Sequence, residues 1–189
     1  MNYMERHLFV ALQLQADVKS TLDQMCQEIK KEHSFKTWVH PDDYHITLAF
    51  LGKAARDQLM ILNPLLQETV QKYEAFALNI NHFGFFGNKE NPRIFWTGVE
   101  EQVKLYNLQK QVAFACRQAD FTLEKRSYSP HITLARKHLD SSALPVDSEK
   151  WWDIYGREIQ FLAENVVLYE THFEKQPKYQ IVQSFSLTR

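Results

Sequence analysis

The pentapeptide His-Ile-Thr-Leu-Ala occurs twice, at His45–Ala49 and at His131–Ala135, each time within an apolar run of strand length. In an extended strand, side chains alternate between faces. Strict alternation places His45, Thr47 and Ala49 on one face and Ile46, Leu48 and Phe50 on the other, and the second copy repeats this through Leu134. Each strand then offers an aliphatic face to a core and a second face carrying an imidazole, a hydroxyl and a small alanine. A short hydrophobic word can recur by chance, or persist after duplication with both histidines merely structural. A single His-x-Thr would support that reading. Two identical pentapeptides in a chain without low-complexity sequence favour one paired site drawn from both strands.

At 189 residues the chain fits one domain, or two small lobes around a shared core, and is long enough to bury most of its apolar surface. Apolar residues make up 44% and charged residues 24%, the balance of a folded domain and not of a disordered chain or a fibre. No apolar run approaches the length of a membrane span, and the first residues lack the apolar core of a signal peptide, so a cytoplasmic protein is expected. Cys26 and Cys116 fall among apolar neighbours on expected helices, where a free thiol serves as a small buried hydrophobe, and no disulfide is expected. The formal charge of -1 argues against a protein that grips long nucleic acid by neutralising many phosphates. A short substrate or a single terminal phosphate is compatible with it. Arg93, Lys125, Arg126, Arg136 and Lys137 are the local cations that could line a groove, although a solvated face is the default for such residues.

Along the chain, a strand is expected at 7–14, then a helix after Asp17 with Val18, Leu22, Met25, Cys26 and Ile29 at helical spacing. Trp38 and Val39 lead through the turn-prone Pro41-Asp42-Asp43 into a strand at 44–51 that Gly52 closes. A helix covers 55–73, with Pro64 expected to end its first part or kink it. Phe76, Leu78 and Ile80 alternate as in a strand, Phe83 to Pro92 reads as a glycine-containing loop, and Arg93 to Val99 as the next strand. A helix over 101–119 and the second motif strand repeat the order of the first half. A Trp-rich helix around 148–155, after Ser141 and Ser142, and strands at 158–162, 166–171 and 179–187 complete the chain. No linker separates the halves. The expectation is an α+β fold of two related lobes, with largely antiparallel sheets flanked by helices, packed as a single unit over 1–189, the motif strands facing each other across a central cleft.

Histidine titrates near neutrality, so a pair can hold one neutral and one protonated member at working pH. One imidazole can take a proton from water while the other gives one to a leaving oxygen. Thr47 and Thr133 are short donors suited to the free oxygens of an anion between them. In-line cleavage of a phosphodiester makes this demand, because base and acid must stand on opposite sides of phosphorus. A metal site fits less well, since each His-x-Thr supplies one ligand and no His-Glu-x-x-His or Cys-x-x-Cys run exists among the eight histidines and two cysteines. Nor is there a nucleophile elbow or a P-loop. His7, His33, His40, His82, His138 and His172 are by default surface or structural residues. Phe50 is a candidate for stacking on a nucleobase, with a core position the competing reading, and Phe85, Phe86 and Trp38 are weaker stacking candidates.

These features resemble the two-histidine phosphoesterases, and the surrounding words resemble the bacterial and archaeal RNA 2′,3′-cyclic phosphodiesterases, also called LigT-like proteins or 2′-5′ RNA ligases. The resemblance runs from His7-Leu8-Phe9-Val10-Ala11-Leu12 through the first motif to Gly52, then through Pro92–Val99, Pro130–Arg136 and the closing Val167-Leu168-Tyr169-Glu170. It implies a metal-independent enzyme that opens a 2′,3′-cyclic phosphate on an RNA end or a nucleoside to leave a 2′-phosphate; no cofactor, no membrane and a monomer are separate expectations, the sequence itself being silent on oligomeric state. It further implies His45 as proton donor, His131 as proton acceptor, and Thr47, Thr133 and Arg136 as phosphate-binding residues. Strict alternation would point Arg136 away from His131, so the strand must end or twist near Ala135 for that role. Reversible ligation to a 2′-5′ linkage is an accompanying activity that the resemblance implies. Cleavage of 2′-5′ oligonucleotides or small cyclic nucleotides, and non-catalytic binding of RNA ends, are the competing functions.

Overall fold

The computed structural model describes residues 6–88, 90–139 and 147–189; Met1 to Glu5, Lys89, Ser141 and Ser142 lie outside them. The chain runs β1 (Arg6–Gln13), α1 (Ala16–Ile29), β2 (Phe35–Trp38), a short 3-10 turn (Pro41–Asp43), β3 (His45–Ala54) and α2 (Arg56–Val70). It continues with β4 (Phe76–Gly87), β5 (Pro92–Val99), α3 (Val103–Gln118), β6 (His131–His138), α4 (Ser148–Tyr155), β7 (Ile159–Ala163), β8 (Asn165–Thr171) and β9 (Tyr179–Ser186). The named strands form two antiparallel sheets, ordered β3-β1-β8-β9 and β2-β6-β5-β4-β7. The α+β fold of related lobes expected from sequence is therefore present.

The internal repeat is β1-α1-β3 against β5-α3-β6. In each unit a strand, a helix and an antiparallel return strand follow in order, and the return strand carries the pentapeptide. On the other flank of the first strand lies β8 in one sheet and β4 in the other. One apolar cluster joins the inner faces of both sheets to the helices. It takes Val10 and Leu12 from β1, Ile46 and Leu48 from β3, Ile132 and Leu134 from β6, Leu22 and Met25 from α1, and Leu108 and Val112 from α3. Cys26 and Cys116 lie buried on α1 and α3, where burial pushes both thiols up to about 12. Among the described residues no helix is long and apolar enough to cross a membrane.

Four local expectations change. Helix α2 runs unbroken from Arg56 to Val70 with Pro64 inside it, because burial of Leu62, Leu66 and Val70 along one face outweighs the hydrogen bond that proline forfeits. The expected loop from Phe83 is strand to Gly87, paired with β5 through Gly87↔Pro92. Its glycines are not breakers: Gly84 gives space to the Trp96 ring from the neighbouring strand. Gly52 does not close β3; it takes φ +67 and the pairing with β1 continues to Ala54. Phe35–Trp38 is a strand, β2, added to the edge of β6, where the sequence suggested only a connection.

Candidate active site

The two motif strands carry the same irregularity. In the β1–β3 ladder Val10 pairs with Ala49 and Ala11 with Thr47, so Leu48 is an extra residue. In the β5–β6 ladder Phe95 pairs with Ala135 and Trp96 with Thr133, so Leu134 is extra. A bulge shifts the alternation by one residue. Ala49 and Ala135 therefore turn into the core, 6% and 0% exposed, and do not share the histidine face as strict alternation required. The same shift moves Phe50 and Arg136 onto that face. Phe50 is 57% exposed and its ring centroid lies 6.0 Å from Phe9, which itself lies 4.8 Å from His45. The strand turns at Leu134 and Ala135, and Arg136 stays beside His131.

Both imidazoles are held in the same way. His45 Nδ1 lies 2.6 Å from the Asp43 carbonyl oxygen, and His131 Nδ1 lies 2.8 Å from that of Ser129. A carbonyl only accepts, so in each ring the proton sits on Nδ1 and the lone pair of the neutral form sits on Nε2. The Thr47 hydroxyl stands 3.0 Å from His45 Nε2 and can donate to it. The Asp43 carboxylate, 4% exposed, accepts the backbone N–H groups of Lys178 at 2.9 Å and Tyr179 at 3.0 Å, tying the turn before β3 to the start of β9.

Around His45 the first sheet builds an aromatic wall outside the main core: Phe9 and Tyr169, with Tyr179 packed against them. The Tyr179 ring meets His45 edge-on at 5.2 Å, and the positive charge of Arg136 from the other sheet acts on its hydroxyl. Around His131 the second sheet places Phe86 at 5.0 Å and Trp96 at 6.0 Å. Burial pulls the His45 pKa down to about 4; the hydrogen bond to Asp43 opposes this, and the positive charges of His131, Lys19 and Arg136 add to it. His131 is lowered for the same first reason, opposed by the Ser129 carbonyl and reinforced by Arg136. The free site thus repels further positive charge and suits an anion.

His131 and Arg136 on β6 lie near enough to His45 on β3 for their charges to act on its imidazole, which Thr47 also meets; Phe50 shares the histidine face of β3, and Thr133 that of β6. Of the weaker stacking candidates, Phe86 lies beside His131, whereas Phe85 stacks on Phe95 against the core and Trp38 packs on Phe35 beneath Lys30. Sequence reasoning missed Phe9, Asp43, Tyr169, Tyr179 and Trp96. Asp43 was visible only as a turn residue, Phe9, Trp96 and Tyr169 only as members of the words that carry the resemblance, and Tyr179 only as a strand aromatic. Among the other histidines, His40 accepts from the Asp42 N–H at 3.2 Å, His33 stacks on Trp151 at 4.0 Å, and His82 sits edge-on to Trp96 at 5.6 Å. No group of three His, Cys, Asp or Glu side chains among the described residues stands close enough to hold a metal ion.

Comparison with known proteins places this geometry. A family model described as LigT like phosphoesterase matches residues 12–96, which contain the first motif. An RNA 2′,3′-cyclic phosphodiesterase of Bacillus subtilis (strain 168) is 34% identical over 155 residues, covering 82% of this chain and 82% of that protein. One of the same name from Geobacillus stearothermophilus is 35% identical over 181 residues, 96% of this chain, and the chain spans 57% of that relative's length. A crystal structure titled phosphoesterase superposes with a TM-score of 0.78 at 22% identity, covering 98% of this chain and 99% of the other. E. coli LigT complexed with 3′-AMP gives a TM-score of 0.76 at 21% identity, with the same coverage. The fold is thus the two-lobed α+β fold of these phosphoesterases. The chain belongs to the LigT-like phosphoesterases, a family of phosphodiester hydrolases to which the RNA 2′,3′-cyclic phosphodiesterases belong.

Proposed function

We propose that the chain hydrolyses a 2′,3′-cyclic phosphate at an RNA end or on a nucleoside to a 2′-phosphomonoester, with His45 and His131 as the acid-base pair. The observation that carries this reading is the matched pair itself: two imidazoles on equivalent strands, each tied through Nδ1 to a carbonyl two residues back, each with Nε2 left for chemistry. His131 takes a proton from water as the water attacks phosphorus, and His45 gives one to the departing 3′ oxygen. Thr47, Thr133 and Arg136 hold the free phosphate oxygens, and Phe50 stacks on the base. No cofactor and no metal ion takes part.

In the free site His45 is lowered to about 4. A donor must be charged at the moment of transfer, so the anionic substrate has to supply the stabilisation that water no longer gives. The bound phosphate does so by its negative charge, and it offsets Arg136, which otherwise disfavours the imidazolium. The limbs of the resulting bell-shaped pH profile belong to the coupled pair.

The relatives' name, RNA 2′,3′-cyclic phosphodiesterase, and the 3′-AMP complex of E. coli LigT support a nucleotide end as substrate. Incubation of adenosine 2′,3′-cyclic phosphate with the protein in chelator, followed by phosphorus NMR, tests the reading. Turnover to adenosine 2′-phosphate is the expected result. A 3′-phosphate product would reverse the substrate's orientation between the histidines, and loss of turnover restored by zinc or manganese would replace the mechanism with a metal-dependent one. Ligation, joining a cyclic phosphate end to a 5′-hydroxyl end in a 2′-5′ linkage, uses the same two proton transfers with the 5′-hydroxyl attacking phosphorus in place of water.

A further inference from the structure

Trp96 lies against the backbone of the second sheet, and the proposed chemistry makes no use of it. In register it stands between Thr133 on β6 and Gly84 on β4. A β-carbon on Gly84 would fall inside contact distance of three atoms of the Trp96 benzo ring, so only glycine lets the indole settle onto the strand. Gly98, which pairs with His131 on one side and His82 on the other, makes the same room for the His82 imidazole. Phe86 borders the platform, its centroid 5.0 Å from Trp96 at 31° and 5.0 Å from His131. Both rings are half-buried, and neither belongs to the core cluster or packs against it. Their exposed area therefore lies on the sheet face that carries His131 and Thr133. A flat aromatic seated on glycine beside a histidine of the site has the form of a stacking surface, and stacking accepts any base because every base has a π-face.

We propose that Trp96, bordered by Phe86, is a nucleobase-stacking subsite on the His131 side of the cleft. The proposal rests on the two-histidine reading above. With His45 beside the departing 3′ oxygen, the ribose bearing the cyclic phosphate lies on the His45 side, where Phe9 and Phe50 stand. The oxygen on the far side of phosphorus enters past His131. A base held on Trp96 therefore belongs to a second nucleoside across the phosphorus, as in a 2′-5′-linked dinucleotide.

Calorimetric titration with 2′-5′-linked adenylyl-adenosine and, separately, with adenosine 2′-monophosphate tests this without requiring turnover. In wild-type protein the dinucleotide should bind more tightly than the mononucleotide. Trp96→Leu should weaken the dinucleotide about ten-fold or more while changing the mononucleotide less than about two-fold, and Trp96→Phe, which keeps a flat ring, should retain most of the affinity. Gly84→Ala, which leaves Trp96 in place but lifts its ring, should fall toward the Trp96→Leu value. Equal affinity of the wild type for both ligands, or an equal loss for both in Trp96→Leu, overturns the subsite. If the dinucleotide affinity depends on Trp96 while the wild-type protein fails to hydrolyse the cyclic phosphate, the subsite stands and the catalytic reading falls. Hydrolysis of the cyclic phosphate with a dinucleotide affinity indifferent to Trp96 overturns the subsite and leaves the catalytic reading standing.

Discussion

Each histidine presents an Nε2 whose direction is set by a hydrogen bond on the other side of the ring, so removing either imidazole removes a positioned proton carrier. His45→Ala and His131→Ala are expected to lower turnover of a nucleoside 2′,3′-cyclic phosphate by roughly 10²–10⁴-fold with the fold intact by circular dichroism. Thr47→Val and Thr133→Val should cost less, about ten- to a hundred-fold, the worth of a hydrogen bond to a charged group. Near-normal turnover in either folded histidine variant would end the paired model. The charge of Arg136 lowers both imidazoles, so Arg136→Gln should raise both titrations, read from the ring proton resonances, and weaken inhibition by inorganic phosphate. The depression of His45 also couples folding to pH. The unfolded chain takes up this proton near 6.5 and the folded chain only near about 4, so the stability contribution is whole above 6.5 and is lost as the pH falls through that window. At about 1.4 kcal/mol per unit, the loss amounts to at most about 3–4 kcal/mol. Denaturant melts at pH 7 and pH 5 should differ less in His45→Gln than in the wild type; an unchanged difference would place the effect on other groups.

The catalytic face is assembled by strand pairing more than by strand pattern. The repeated pentapeptide made the two strands, their histidines and their threonines legible in the sequence, because those features repeat within five residues. The bulges at Leu48 and Leu134 were not legible, because an extra residue is defined only against the partner strand. Strict alternation therefore misplaced Ala49, Ala135 and Phe50, and left Arg136 in conflict with its implied role. For the same reason the glycines of β4 resembled loop residues until the Trp96 ring was seen lying across Gly84. The position of Phe50 yields a direct test. A buried phenylalanine cut to alanine costs about 3–5 kcal/mol. Phe50 is 57% exposed, so Phe50→Ala should cost under about 1 kcal/mol in a denaturant melt while raising KM for the cyclic nucleotide. A large loss of stability would return Phe50 to the core and remove it from the site.

At the scale of the molecule, the two pentapeptides lie in different sheets, and their alignment across the cleft depends on what joins those sheets. The shared cluster supplies the joint: Leu48 and Leu134, the bulge residues themselves, are 2% and 0% exposed and belong to the same apolar core as α1 and α3. The residues whose insertion turns Phe50 and Arg136 outward thus also contribute side chains to the core that the two sheets share. That the halves pack as one unit is our proposal, motivated by this continuity and by the absence of a linker rich in glycine, proline or serine between them. A core shared in this way predicts a single cooperative transition, because neither lobe keeps its buried surface when the other opens. In a denaturant series, the native ring resonances of His45 in the first sheet and His131 in the second should disappear with one midpoint. Leu134→Ala, a large-to-small change in the second lobe expected to cost about 2–5 kcal/mol, should lower both midpoints equally. Separate midpoints, or a Leu134→Ala shift confined to His131, would show two lobes that fold independently and meet only at the cleft.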